Sequence, residues 1–213
     1  MTIKRFVCNM LQENCYVVSD DTRECVVIDC GAYYPEERQA IADYIKEEEL
    51  TPVHLLATHG HVDHNFGNDT MAAVFGLKPE IAAQDEAMLS NCKMQAMQMF
   101  GLDLSNDFPP AGRLLKDGDE VAFGSHKLKV VSTPGHSRGS VCYYCEEESV
   151  MFSGDTLFRH SIGRTDFEGG SMLQIIQSLR MLAQMPDDIT VLPGHGEQTT
   201  IGEELAHNPY MDR

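Results

Sequence analysis

The chain has 213 residues, enough for one domain with a substantial core, and its 42% hydrophobic and 23% charged residues are ordinary globular values. Its net charge of −17 is not ordinary: it repels phosphate backbones and argues against a nucleic acid partner. No apolar run approaches the ~20 residues of a membrane span, which argues against a membrane protein.

The N-terminal residues 1–6 lack the apolar stretch of a secretory signal, which favours a cytosolic protein. Beyond them, strand-like apolar runs alternate with helical periodicity, and this predicts an α/β layered fold. The predicted strands are 15–19, 25–29, 53–58, 127–132, 141–145 and 190–192. The predicted helices are 35–48, 85–99 and 171–184. No linker or repeat interrupts them, so we expect a single domain over residues 1–213.

The predicted helix 85–99 is rich in methionine, with Met88, Met94, Met97 and Met99. Packing in the core explains such residues, and so does a soft wall over an active site, because thioether side chains adapt to varied apolar groups. The loop 102–113 that follows contains two consecutive prolines, at a place where a lid could hinge.

Seven cysteines are an odd number at irregular spacing, which favours reduced thiols over a disulfide framework. Cys142 and Cys145 have the spacing of a redox motif but lie in a predicted strand, where their sulfurs would point to opposite faces. They are therefore predicted to pack in the core.

Three imidazoles and a carboxylate follow the strand 53–58 within six residues: His59, His61, Asp63 and His64. Neutral imidazole and carboxylate are ligands that Zn²⁺ and similar cations prefer. In extended chain, residues two apart point the same way, so His59 and His61 can share one ion. If a helix begins near Asp63, then Asp63 and His64 turn toward a second point, roughly 3.5–4 Å away as in two-metal sites.

The same arrangement occurs three more times, as an apolar run, a glycine-containing turn and a residue of ligand type. The run 128–131 leads to His136, the run 150–152 to Asp155 and the run 189–192 to His195. Each residue alone is explained as a turn histidine or a helix-capping aspartate. Because active sites of α/β proteins gather at the carboxyl ends of strands, the four turns together predict one converging site.

This order of residues resembles the metallo-β-lactamase superfamily of metallohydrolases. The resemblance runs from residues 14–16 and 28–29 to the C-terminal region. It implies a four-layer αβ/βα sandwich, in which two packed mixed sheets are flanked by helices and the site lies at one edge of the sheets.

The resemblance also implies a role for each residue of the site. His59, His61 and His136 would hold a first ion, Asp63, His64 and His195 a second, and Asp155 would bridge both. Asp29 is expected to bond a ligand imidazole or a turn amide from outside the ligand set. Two divalent ions per chain are thus expected, zinc before iron or manganese, because imidazole and carboxylate discriminate weakly among them.

Within the superfamily the chain resembles the glyoxalase II group, the hydroxyacylglutathione hydrolases, including its short bacterial members. The resemblance lies in residues 133–140, 153–158 and 163–166. It implies hydrolysis of a small-molecule hydroxyacyl thioester, such as a lactoyl-glutathione type, with Arg164 in contact with the substrate. Long members continue into a helical domain that contacts glutathione, whereas this chain ends eighteen residues after His195, which leaves the thiol open.

The ligand set predicts a mechanism. Two cations sharing Asp155 would lower the pKa of a bridging water enough to supply hydroxide near neutral pH. The hydroxide would attack the thioester carbonyl while a cation stabilises the oxyanion, and Asp63 would both ligate and orient the nucleophile. A thiolate leaves readily, so no strong general acid is required.

Other functions fit the same residues. A mononuclear iron persulfide dioxygenase resembles this pattern, as does a hydrolase of lactones or other esters. A flavin-linked di-iron reductase uses the fold with a second cofactor domain, and a metal could also serve stability alone. The content of iron and the consumption of oxygen would separate the dioxygenase from the hydrolase.

Overall fold

The computed structural model of the protein describes residues 1–212. Its strands, in chain order, are β1 Thr2–Cys8, β2 Glu13–Ser19, β3 Glu24–Ile28, β4 Thr51–Leu56, β5 Pro79–Ala82, β6 Arg113–Leu115, β7 Glu120–Phe123, β8 His126–Ser132, β9 Val141–Cys145, β10 Val150–Gly154, β11 Leu157–Phe158, β12 Ser161–Ile162, β13 Thr190–Pro193 and β14 Thr199–Thr200. Its α-helices are α1 Pro35–Glu47, α2 Asn68–Phe75, α3 Glu86–Ser90, α4 Cys92–Phe100, α5 Met172–Leu182 and α6 Ile201–His207. Short 3-10 helices cover Val62–His64 and Ala83–Asp85. None of the helices in this described part is long and apolar enough to cross a membrane.

Two six-stranded mixed sheets form the centre of the fold. The first has the order β1-β2-β3-β4-β5-β6, antiparallel up to β3 and parallel from β3 onward. The second has the order β14-β13-β10-β9-β8-β7, antiparallel except for the pair β10 and β13. With helices on their outer faces, the two sheets form the αβ/βα sandwich that the resemblance implied.

Alternation along β2 shows how the sheets pack. Tyr16 and Val18 face the second sheet, where the Tyr16 ring meets the edge of Phe152 with centroids 5.3 Å apart. Cys15 and Val17 face outward into the cluster formed with α1. On the second sheet the outer face packs against α5 and α6. The core thus has one layer between the sheets and one beneath the helices of each.

Cys142 and Cys145 lie on opposite faces of β9, as their strand spacing predicted. Cys142 packs in the cluster under α5, and Cys145 packs between the sheets. The predicted helix 85–99 is wrong as one helix, because it is divided into α3 and α4 at Asn91. The Asn91 side chain donates to the carbonyl of Ala87, a bond that competes with regular helix continuation.

The carboxyl ends of β4, β8, β10 and β13 meet at one edge of the sandwich. Two backbone bonds join them: Val141 N–H donates to Thr58 O at 2.9 Å, and Gly194 N–H donates to Gly154 O at 2.8 Å. Asn14 N–H donates to Gly194 O at 2.7 Å and ties the first sheet to the second at the same edge. The turns that follow these strands therefore face one another.

Candidate metal centre

The structure brings all seven predicted ligand residues together at this edge. They form three overlapping groups whose ligand atoms lie within 4.8 Å of one another: His59, His61 and His136; His59, His64 and Asp155; and Asp63, His64 and His195. The 3-10 helix Val62–His64 turns the chain between the first and last of these groups. The chain turn expected near Asp63 is therefore present, as one 3-10 turn.

Distances between the ligand atoms have the scale of a coordination shell. Nitrogen ligands about 2.05 Å from a tetrahedral ion lie roughly 3.3 Å apart. His61 Nδ1 and His136 Nε2 are 2.8 Å apart, and His64 Nε2 and His195 Nε2 are 3.3 Å apart. Asp63 Oδ2 lies 3.5 Å from His195 Nε2.

Asp155 lies between the two outer groups. Its Oδ1 is 3.3 Å from His64 Nε2, and its Oδ2 is 3.5 Å from His136 Nε2 and 3.7 Å from His195 Nε2. One carboxylate thus reaches both groups, which is the arrangement that a bridging ligand requires.

Two buried atoms at the centre make no hydrogen bond within the described residues: His59 Nε2 and Asp155 Oδ1. A buried polar atom without a partner costs about 1–3 kcal/mol, so such atoms are rare unless something else satisfies them. Both residues belong to the cluster of potential metal ligands, and a divalent cation can coordinate an imidazole nitrogen as well as a carboxylate oxygen. The donor set therefore fits metal ions at this position.

Hydrogen bonds on the far side of the imidazoles fix their orientation. His136 Nδ1 donates to Arg164 O at 2.8 Å, and His195 Nδ1 donates to Leu11 O at 3.1 Å. With Nδ1 protonated, Nε2 of each ring is left with its lone pair toward the centre.

Asp29 is held directly behind the cluster. Its Oδ2 accepts from His64 Nδ1 at 3.0 Å and from the Thr58 hydroxyl at 2.7 Å, while Oδ1 accepts from Thr58 N–H at 2.7 Å. It thus bonds both an imidazole of the cluster and a turn amide. Its backbone has φ of 53°, a left-handed conformation that is uncommon for a residue other than glycine and is often found at functional sites.

Burial and neighbouring charges set the protonation of the cluster. Burial lowers the pKa of His61 to about 4, with a further contribution from His136, and burial holds the pKa of His59 well below its ordinary value. Burial alone would raise the pKa of Asp155, but the His64 imidazole outweighs it and holds that pKa well below its ordinary value. Burial alone would lower the pKa of His64, but Asp155 and Asp63 raise it well above its ordinary value. Metal binding takes the neutral imidazole and the anionic carboxylate, so it would displace a proton from His64.

Two glycines let the backbone approach the cluster. A Cβ on Gly194 would lie 2.5 Å from Asp155 Oδ1, and one on Gly163 would lie 1.8 Å from Asp155 O. Any side chain at either position would displace Asp155, so the turn before His195 and the segment after β12 need glycine there.

Sequence reasoning missed three buried residues beside the cluster. Asp85 accepts from Gly60 N–H at 3.0 Å and from the Ser137 hydroxyl at 2.6 Å, which links the first turn to the turn that carries His136. Asn65 donates to the carbonyls of His59 and His61. Glu13 Oε1 lies 3.8 Å from His64 Nδ1, but neither of its carboxylate oxygens makes a hydrogen bond, and burial raises the pKa of Glu13 well above its ordinary value. No local motif distinguishes these acids and amides from surface residues.

Four of the nine histidines lie outside the cluster. Each approaches a carboxylate: His54 lies against Glu80, His126 against Asp20, and His160 and His207 against Glu203. Their contacts are therefore ion pairs or hydrogen bonds with carboxylates outside the cluster.

Arg164 contacts the cluster through its backbone carbonyl, which accepts from His136 Nδ1, and not through its guanidinium. The guanidinium forms two hydrogen bonds to Asp166, of 2.7 and 2.6 Å, and lies 4.0 Å from the centroid of the Phe167 ring. Its role as a substrate contact stays a prediction, because this side chain already has a carboxylate partner.

Two cavities are large enough to hold a small molecule. The cavity of about 420 Å³ reaches His61 and is lined by α3, α4 and the segment 167–169. A more open cavity of about 830 Å³ is lined by β1, β13 and β14 and contains none of the seven cluster residues. The smaller cavity is therefore the one placed to present a substrate to the cluster.

Comparison with known proteins agrees with this geometry. The model of the metallo-beta-lactamase superfamily matches residues 8–195. A hydroxyacylglutathione hydrolase, GloC of Haemophilus influenzae, is 32% identical, over 100% of this chain and 99% of its own. A probable metallo-hydrolase, YqgX of Bacillus subtilis, is 33% identical, over 100% of this chain and 98% of its own.

Solved structures are similar over nearly the whole chain. BLEG-1, described as a B3 metallo-beta-lactamase, has a TM-score of 0.90 at 34% identity and covers 99% of both chains. TTHA1623, solved in a di-iron-bound form, has a TM-score of 0.86 at 33% identity and covers 98% of this chain and 100% of its own. ETHE1 from Myxococcus xanthus has a TM-score of 0.79 at 28% identity and covers 98% of this chain and 84% of its own.

Proposed function

This chain belongs to the metallo-beta-lactamase superfamily, and on that premise we propose that it is a dinuclear metallohydrolase that cleaves a hydroxyacyl thioester. The observation that carries the proposal is the placement of Asp155 between two groups of ligand type, with Oδ1 buried and unpartnered. Seven ligand residues exceed the three or four that one ion takes from a protein. The name of GloC supports the thioester, and the di-iron form of TTHA1623 supports two ions.

Each ion would be held by residues already described. His59, His61 and His136 would hold one, Asp63, His64 and His195 the other, and Asp155 would contact both. When bound, two divalent ions would lower the pKa of a water between them and polarise the carbonyl of the substrate. Zinc is the first candidate, with iron or manganese as alternatives, because histidine and carboxylate bind all three.

The chain's own residues would position the reactants. Burial alone would raise the pKa of Asp63, but His64 and His195 lower it, so the carboxylate is anionic at neutral pH and would orient the attacking water. Asp29 would fix the His64 ring through its hydrogen bond to Nδ1. The leaving thiolate needs no strong general acid, and we assign none.

The test combines metal analysis with a substrate panel. Fully metallated protein should contain two ions per chain and should hydrolyse thioesters of glutathione, coenzyme A or a small thiol faster than oxygen esters, lactones or a β-lactam. The β-lactam is included because BLEG-1 is described as a lactamase. One iron per chain with oxygen consumption would favour the dioxygenase instead. A firm ratio of one ion without thioester turnover would refute the proposal.

A further inference from the structure

The cavity of about 420 Å³ beside His61 is lined by side chains that include three chemical types, namely thioethers, amides and a guanidinium. It is lined by residues of α3 and α4 and by the segment 167–169. Ligand cavities of roughly 300–1,000 Å³ are typical for small molecules. Because His61 and α4 both line it, a molecule that fills this cavity would contact the cluster as well as α4.

One wall of the cavity is apolar and solvent-exposed. Met94 is 56% exposed and Met99 is 38% exposed, and the half-buried Met88 lines the same cavity. Large apolar side chains left in contact with water at a cavity beside the cluster favour a ligand that covers them. Of the two explanations that the sequence left open, these three positions therefore support the wall rather than the core.

The same cavity offers amide groups that no protein atom uses. Gln84 and Gln98 line it, and neither side chain makes a hydrogen bond to any of residues 1–212. Gln95, by contrast, is fully engaged, because it accepts from Val62 N–H and donates to Gly60 O and Met88 O. Free amides beside the thioether wall can pair with the amides of a ligand chain.

Arg138 is the cation of this cavity, and it has no partner. Within residues 1–212, every other arginine side chain makes a hydrogen bond or an ion pair, whereas the exposed Arg138 guanidinium makes none. Its backbone is nevertheless fixed, because Asp85 accepts from the Ser137 hydroxyl and from Gly139 N–H, both at 2.6 Å. Arg138 is thus a charged side chain without a protein partner, carried on a fixed backbone two residues after His136.

The charges around the cavity select the kind of anion. Asp85 and Glu168 line the same cavity, which therefore contains one arginine and two carboxylates in a chain of net charge −17. A polyphosphate would meet more repulsion than attraction there. A single carboxylate matches the one free guanidinium, which binds carboxylates with two parallel hydrogen bonds.

From these contacts we propose that the cavity binds the thiol-derived half of the substrate as an amide-containing chain with a carboxylate, and that Arg138 binds that carboxylate. The thioether wall would contact the methylene groups and the free glutamines the amides. This deepens the proposed thioester hydrolysis and rests on it for the identity of the reacting group. Arg138 is a specificity residue in this proposal, because it contacts the chain of the substrate and not the carbonyl that reacts.

The test measures binding of a thioether that cannot be hydrolysed. S-hexylglutathione and its diethyl ester, in which both carboxylates are blocked, are titrated calorimetrically into the metal-loaded protein. Arg138→Gln should weaken the free acid about tenfold and leave the diester nearly unchanged. Arg138→Lys should restore part of the loss. Arg180→Gln is the matched control, because Arg180 is also exposed but pairs with Asp212, and it should change neither affinity.

Several results would overturn the inference. Equal loss for acid and diester, no loss with Arg138→Gln, or no measurable binding of the free acid would each refute it. A tenfold loss in Arg164→Gln with none in Arg138→Gln would assign the contact to Arg164. If S-hexyl-coenzyme A binds more tightly than S-hexylglutathione and this binding depends on Arg138, the anion that Arg138 binds is a phosphate and not a carboxylate. Thioester turnover without any effect of Arg138 refutes only this inference, whereas Arg138-dependent binding without turnover refutes only the proposed reaction.

Discussion

The two ends of the sandwich use the same residue types in opposite ways. At one end His126 begins β8 and contacts two carboxylates, with Nδ1 3.1 Å from Asp20 Oδ2 and Nε2 2.9 Å from Glu148 Oε1. At the other end the turn after β8 carries His136, whose Nε2 faces another imidazole, that of His61, at 2.8 Å. Each nitrogen of His126 contacts a carboxylate at hydrogen-bond distance, whereas Nε2 of His136 lies 2.8 Å from an imidazole nitrogen and 3.5 Å from Asp155 Oδ2.

The comparison teaches which pattern indicates a ligand cluster. Asp20 accepts from Thr22, Ser125 and His126, so its charge is balanced by donors from the protein itself. Asp155 is surrounded by imidazoles, and its buried Oδ1 makes no hydrogen bond. Histidine and aspartate lie together at both ends, and the distinguishing feature of the cluster is a set of buried ligand-type atoms that lack hydrogen bonds and converge on one point.

The largest effect should appear when one aspartate at each end is replaced by asparagine and the metal content and turnover of the two variants are compared. Asp155→Asn removes the negative charge between the two groups, so we expect metal content to fall to one ion or fewer and turnover to fall at least about a hundredfold. Asp20→Asn should keep two ions and full turnover while it lowers the free energy of unfolding by about 1–3 kcal/mol, through weakened bonds to Ser125 and His126.

Elemental analysis, thioester kinetics and urea unfolding of the two variants would be compared. Wild-type turnover in Asp155→Asn would contradict the bridging role. Loss of metal in Asp20→Asn would contradict the separation of the two ends.

The seven cluster residues could be predicted because each follows a strand end in a recognisable turn. In each turn a glycine is adjacent in the chain to a ligand residue, so the pattern is local, as in Gly135 before His136. Arg138 lies in the same segment, but the role proposed for it depends on its lack of a carboxylate partner, whereas Arg164 has one two residues away. The sequence of one segment does not show whether a side chain finds a partner elsewhere in the fold.

The fold was predicted to a similar extent. The strands formed by nearly continuous apolar runs, such as β2 and β9, lie within two residues of their predicted bounds. The edge strand β1 and the short β5 were not predicted, because β1 exposes most of its side chains and β5 is only four residues long. Their pairing with β2 and β4 supplies the stability that their own sequences do not indicate.

The second effect in size should come from removing the metal. A ligand that binds only the folded chain at one hundred times its dissociation constant stabilises it by about 2.7 kcal/mol, so chelation should lower Tm by roughly 5–11 °C. Because His126 lies at the opposite end, His126→Gln should show the same shift on chelation, the two changes being additive. Differential scanning fluorimetry with and without chelator measures both. An unchanged Tm in the chelated wild type would contradict a metal-stabilised cluster.

The smallest effect is the pH dependence at the far end. Hydrogen bonding to Asp20 raises the pKa of His126 above its ordinary value, against the opposing effect of burial and with help from Glu148. The N-terminal ammonium also faces this group, 2.9 Å from Glu148, and lowers the pKa of His126. A histidine whose folded pKa is raised stabilises the fold fully below its unfolded pKa of about 6.5, and this stabilisation is lost as pH rises through the folded pKa.

The free energy of unfolding of wild type minus that of His126→Gln should therefore be larger at pH 6 than at pH 9. We expect a change of no more than about 1 kcal/mol, because ion pairs near the surface are weak and screened by salt. Urea unfolding at the two pH values measures it, and 1 M salt should reduce it. A difference that grows with pH would mean that His126 is stabilised in its neutral form, and the far end would then resemble the cluster end after all.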